Sequence, residues 1–168
     1  VAKFAGNENY NTIEDMSATL VIEKATYDMS GVTYAGTEVT YDGEEHSIVA
    51  ENLPSGVTAS YEGNGKVEAG DYTVVVSFTG DTTNYELIPS QEVALKINKA
   101  TYDMSEVTFE GKTVTYNGNA QELLISGTLP EGVTVSYEGN GQVNAGTYTV
   151  VAKFAGNENY NTIEDMSA

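Results

Sequence analysis

His46 is the chain's one histidine, and it stands among 25 aspartates and glutamates. A hydrolase built on such residues needs a base beside a nucleophile, or two carboxylates flanking one bond. His46 fits neither pattern, because at the corresponding place in a second copy of the same motif the chain carries Gln121. Glu44, Glu45, Glu62, Glu68 and Asp71 supply carboxylates that could hold calcium, but no Asp-x-Asp-x-Asp-Gly loop arranges them. They read as a solvated acidic face. Cysteine is absent, which excludes disulfides and thiolate metal sites. The Gly-Asn-Gly stretches at 63–65 and 139–141 follow strand-like runs and precede no helix. A phosphate cradle needs that helix, so these are turns. The chemistry-bearing residues thus point to no enzyme, no metal and no cofactor.

Charge narrows the partners. Seven lysines and no arginine against 25 acids leave a net charge of −18. Such a chain is repelled by nucleic acid and by anionic membrane surfaces. It has no apolar run long enough to span a bilayer.

The elements that would carry any site are repeated. The motif ATYDMS occurs at 25–30 and again at 100–105, each time after an apolar run ending in lysine. The period is about 75 residues, the size of a small domain. Residues 1–18 and 151–168 are identical in sequence. We therefore read residues 1–24 as the C-terminal hairpin of a preceding repeat, 25–99 as a complete repeat, and 100–168 as a repeat lacking its last strand. The chain reads as a cut from a longer array.

Within the complete repeat, strands are predicted at 32–35, 38–41, 46–50, 57–62, 72–79 and 93–98, separated by Asp-Gly, Pro-Ser-Gly and Asn-Gly turn chemistry. The next repeat predicts strands at 107–109, 112–116, 121–126, 133–138 and 148–154. Alternation places Tyr72, Val74, Val76 and Phe78 on one face, with Val93, Leu95 and Ile97 facing them. No segment has helical periodicity. The pattern implies an all-β fold of tandem antiparallel sandwiches. Tyr72 and Tyr148 each follow glycine by two positions at a strand start, the setting of a tyrosine corner.

The run Ala145-Gly146-Thr147-Tyr148, then Asn159-Tyr160, then an alternating strand like 20–25, resembles bacterial immunoglobulin-like repeats of cell-surface and adhesin proteins. Ala69 to Tyr72, Asn84-Tyr85 and residues 95–100 repeat it. The Val-Thr-Tyr-Asp-Gly segment at 39–43 is similar to a tyrosine-glycine motif of related, mucin-binding-type surface repeats. Some of those carry a β-grasp fold, the alternative here. The resemblance implies tandem immunoglobulin-like sandwiches on a Gram-positive bacterial surface, serving as stalk or adhesion modules. The alternative role is a glycan- or host-protein-binding module, for which Tyr85 and Tyr160 are the ligand-stacking candidates. Surface domains of this kind sometimes hold a Lys–Asn isopeptide bond, but alternation turns Lys96 and Lys153 outward.

The duplicated ends carry an expectation of their own. The segment Thr19, Leu20, Val21, Ile22, Glu23 and Lys24 matches the last strand of a repeat. Its two core residues, Leu20 and Ile22, are together worth about 3–6 kcal/mol to a unit that buries them. We expect this segment of one chain to complete residues 100–168 of another by strand addition, giving head-to-tail or swapped self-association beside the contacts between neighbouring repeats.

Overall fold

The structure is a computed structural model and describes residues 1–36 and 38–168. These residues form nine strands and no helix, so the chain is all-β as the alternation predicts. The β-grasp alternative requires a helix that the described residues do not contain.

The first unit holds β1 (Thr33–Ala35), β2 (Glu38–Thr40), β3 (Val49–Glu51), β4 (Thr58–Glu62), β5 (Gly70–Thr79) and β6 (Gln91–Asn98). Four of them make one sheet in the order β2-β6-β5-β4, and β1 pairs with β3 in a second. The pairs are antiparallel except β2 with β6, which run parallel. The inward faces meet in one core of Ile48, Ala50, Val74, Val76 and Leu95, with Tyr34, Tyr61, Tyr72 and Phe78 packed around it. The alternation therefore assigned the faces of β5 and β6 correctly, and Lys96 does point outward to pair with Glu38 at 3.6 Å. Every lysine is at least partly exposed, and Lys153 pairs with Glu138 at 2.6 Å.

The small second sheet is sewn to the larger one by side chains. Asn64 Oδ1 accepts from the Ile48 amide at 2.7 Å, and Asn64 Nδ2 donates to the Ile48 carbonyl at 2.8 Å. The Tyr61 hydroxyl accepts from the Ala50 amide at 2.8 Å. An amide side chain here stands in for a neighbouring strand, which satisfies backbone groups that would be costly to bury unpaired. Gly63 permits it: its φ is +80°, and a Cβ would lie 2.9 Å from the Thr73 carbonyl oxygen. The second unit repeats the clamp, with Asn140 bonding both backbone groups of Leu123 and the Tyr137 hydroxyl accepting from Ile125.

That unit forms β7 (Thr134–Glu138), β8 (Val151–Ala155) and β9 (Met166–Ser167), one sheet in that order. Its core joins Tyr102, Val107, Val133, Ala152 and Phe154. Four predictions need correction. The strands expected at 107–109 and 121–126 shrink to isolated bridges, Thr108 with Ser126 and Gln121 with Gln142. Residues 112–116 form no strand, and β8 begins at Val151 rather than at 148. One cause underlies the last two. In the first unit, the counterparts of 113–116 and 146–150 pair with the two edges of β6. No strand lies between them in the second unit, so neither has a ladder partner.

Residues 1–24 lie outside both cores, exposed throughout. Ala2 pairs with Met16, and the Tyr10 amide donates to the Asn7 carbonyl in the turn between them. The pairing of Ala2 with Met16 is the same, in identical sequence, as that of Ala152 with Met166 in the β8–β9 ladder. Leu95 is 0% exposed, whereas its sequence counterpart Leu20 is 83% exposed. Leu95→Ala should therefore cost about 2–5 kcal/mol in a urea melt. Leu20→Ala, at low protein concentration, should change the melt by no more than about 0.5 kcal/mol.

Candidate functional site at the junction between the units

Each unit begins with the tyrosine of its ATYDMS motif. The Tyr102 ring lies flat over Gly156, leaving no space for a side chain there, and its hydroxyl accepts from the Asn157 amide at 3.0 Å. Its other face stacks on Tyr160 at 3.9 Å between centroids, with 12° between the planes. In the first unit, Tyr27 covers Gly80, bonds the Asp81 amide at 2.8 Å and stacks on Tyr85 at 4.1 Å. The two candidate ligand-stacking residues, Tyr85 and Tyr160, thus each present one ring face to a neighbouring tyrosine, and both are half-buried. Sequence reading singled out Tyr85 and Tyr160 but not Tyr27 and Tyr102. The signal was present in ATYDMS, used there only as a repeat marker.

The loop that carries Tyr160 also joins the units. Asn159 is 8% exposed, the one buried polar residue among those described. Its Oδ1 accepts from the Ala69 amide of the first unit at 2.8 Å. Its Nδ2 donates to the Glu68 carboxylate, a charge-assisted contact. Beside it, the edge of Tyr41 meets the Tyr160 ring at 5.6 Å and 73°. The chain between the units has no slack. Ala100, two residues after β6, donates its amide to the Asn159 carbonyl at 3.0 Å, and its carbonyl accepts from Asn161 at 2.8 Å. The same connection recurs at the front of the first unit, where Ala25 bonds Asn84 and Glu86. A buried amide satisfied from both sides fixes geometry because its partners, once buried, have no water to fall back on.

The other sequence candidates have structural roles or none. The Tyr72 hydroxyl donates to the Glu68 carbonyl at 2.9 Å and Tyr148 to Asn144 at 3.1 Å, the backbone contact expected of a tyrosine corner. The Tyr72 ring folds back over Gly70. His46 Nε2 sits 3.0 Å from Asp42 Oδ1, and Gln121 Nε2 donates to Asn117 at 3.1 Å in the equivalent place. An amide reproduces the histidine's contact, so this contact requires no titrating ring. No group of three His, Asp or Glu side chains among the described residues could hold a metal ion, and no helix is long and apolar enough to cross a membrane. Residues 19–24 are exposed, with the Lys24 ammonium donating to the Thr82 carbonyl at 2.6 Å. In the second unit a groove of about 340 Å³ lies open between residues 112–116 and 144–150.

Several surface carboxylates are tied into turns. Hydrogen bonds from Ser30 hold Asp28 below the usual aspartate range, and Ser105 does the same for Asp103. Asp81 is lowered by the Asn84 side chain and then the Thr83 amide, and Asp42 chiefly by the Glu44 amide.

Residues 105–164 match the MBG domain family, a bacterial surface-associated repeat domain. No curated protein and no solved structure matches the chain.

Two outcomes follow from this geometry. Asn159→Ala leaves the Ala69 amide without its partner, so small-angle scattering should show a broader spread of inter-unit orientations while both units stay folded. The turn carboxyls titrate lower in the folded chain than in the unfolded one. Their contribution is therefore complete above the ordinary carboxylate range and is lost as pH falls through their depressed values. Carboxyl NMR titration should place Asp28, Asp42, Asp81 and Asp103 below the usual aspartate range, and urea midpoints should fall on acidification through it.

Proposed function

We propose that the chain is a non-catalytic spacer segment of a bacterial cell-surface protein, two modules of a semi-rigid rod that holds a binding region away from its anchor. The observation that carries this reading is the junction. β6 runs into Ala100 with only Lys99 between, and Asn159 locks the second unit to Glu68 and Ala69. Rods of this kind need units that do not tumble and do not adhere to one another indiscriminately. The net charge of −18 serves the second need. The match of residues 105–164 to a surface-associated repeat family supports the setting, and the repeated turns, clamps and tyrosine stacks support a structural use for the polar and aromatic residues.

The test is small-angle scattering of the intact chain beside a variant with a short Gly-Ser insertion between Lys99 and Ala100. The rod reading expects an elongated particle with a narrow distribution of shapes, and loss of both properties on insertion. Equal flexibility in the two chains would refute it. A glycan or mucin pull-down that is lost on Tyr85→Ala or Tyr160→Ala, with the fold retained, would instead favour a ligand-binding module.

A further inference from the structure

Asn-Gly occurs three times, at Asn64-Gly65, Asn117-Gly118 and Asn140-Gly141. In such a pair the backbone nitrogen of the glycine stands next to the asparagine side-chain carbonyl, and no Cβ hinders its approach. The three pairs differ in how the asparagine is held. Asn64 and Asn140 are half-buried. Each side chain is bonded at both ends, its Oδ1 accepting from the amide of Ile48 or Leu123 and its Nδ2 donating to the carbonyl of the same residue, all at 2.7 to 2.8 Å. Asn117 and Gly118 are exposed. Asn117 is held by its oxygen alone: Oδ1 accepts from the Asn119 amide at 2.9 Å and from Gln121 Nε2 at 3.1 Å. Its Nδ2 has no hydrogen-bond partner among the described residues.

We infer that Asn117 is a site of self-modification, converting to an acid by intramolecular deamidation while Asn64 and Asn140 stay amides. The Gly118 backbone nitrogen gives its proton to a solvent base and attacks Asn117 Cγ. The N–Cγ bond forms, the Cγ–Nδ2 bond breaks, and the side-chain nitrogen leaves as ammonia, taking a proton from solvent. Water then opens the cyclic imide at either of its carbonyls, giving aspartate or isoaspartate. In sum one water is consumed and one ammonia released, with no oxidant, reductant or cofactor. The two donors on Oδ1 stabilise the negative charge that develops there during the attack. At Asn64 and Asn140 the amide must turn its face to the following nitrogen, which breaks both bonds of the clamp. Those sites react only through local opening.

The first unit shows that the product fits. It carries Asp42 in the place of Asn117, followed by the same glycine. Asp42 Oδ1 accepts from the Glu44 amide at 2.9 Å and lies 3.0 Å from His46 Nε2, the contacts that Asn117 makes with Asn119 and Gln121. Asp42 and Gly43 are also exposed, although the neighbouring β2 is paired with β6. Gly43 and Gly118 share a left-handed conformation, at φ +84° and +79°. The turn and its exposure are therefore the same with or without a strand beside residues 112–116. A carboxylate keeps an oxygen for both donors. At Asn64 it would lose the donation to the Ile48 carbonyl and set a negative charge against that oxygen. The amide is thus required at 64 and 140 and replaceable at 117. The inference uses no part of the spacer reading.

Peptide mapping by mass spectrometry of the intact chain, held warm at mildly alkaline pH, tests it, with fragmentation to separate Asn117 from Asn140. The folded chain should accumulate the amide-to-acid mass change at Asn117 at least about tenfold faster than at Asn64 or Asn140. In denaturant, where no clamp protects them, the three sites should convert at similar rates. Asn117→Asp should keep the urea midpoint of the parent chain, whereas Asn64→Asp should lower it. Comparable rates at the three sites in the folded chain would overturn the inference. So would an unconverted Asn117 under conditions that convert it in denaturant, or a urea midpoint lowered as far by Asn117→Asp as by Asn64→Asp. None of these results would alter the scattering test of the junction.

Discussion

The structure depends on one strand being paired along both edges. β6 takes β5 on one side and β2 on the other, the latter in parallel, and drives Leu95 and Ile97 into the core. The unit is small, so each sheet edge carries a large fraction of its backbone polar groups, and each unpaired group costs free energy when buried. With β6 in place, the first unit has a four-stranded sheet and a closed core. In the second unit, where the corresponding place is an open groove, the sequences matching β2 and the first half of β5 remain irregular. Strand formation here follows partnership more than intrinsic preference.

Where strands are too few, polar side chains complete the ladders. Asn64 and Asn140 each bond both backbone groups of one residue, Ile48 and Leu123, and Tyr61 and Tyr137 add a hydroxyl. These contacts occur twice with nearly the same distances, though the residues they serve differ (Ile48 and Leu123, Ala50 and Ile125). A backbone-directed contact tolerates such change because it reads no side chain. Tyr27 and Tyr102 work by the same economy of scale: each covers a glycine, caps an amide and stacks on a second tyrosine, fixing a long loop without a hydrophobic core of its own.

The loop so fixed is the one that joins the units. Tyr160 is held by Tyr102 within its own unit, and this positions Asn159 to bond Glu68 and Ala69 of the preceding one. The aromatic stack, the linker-free Ala100 and the buried amide are thus parts of one joint. Much of this joint was written in the sequence as motif: Asn-Tyr, Ala-Gly-x-Tyr and ATYDMS recur in register. Their meeting was not legible, because Asn159 and Ala69 lie 90 positions apart and no local pattern reports a contact at that separation.

The identical ends separate what each level of structure decides. Sequence alone determined the strand faces of the first unit, the turns, the tyrosine corners and even the register of the terminal hairpin. Ala2 finds Met16 as Ala152 finds Met166, because turn chemistry and side-chain spacing are local. It did not determine whether that hairpin becomes part of a sheet. Phe154 is 9% exposed against the core that Tyr102, Val133 and Ala152 provide, while Phe4, with the same neighbours in sequence, is 43% exposed. A hairpin by itself buries too little apolar surface to offset the entropy of ordering it. Only a second layer supplies that surface, and the layer belongs to the tertiary structure.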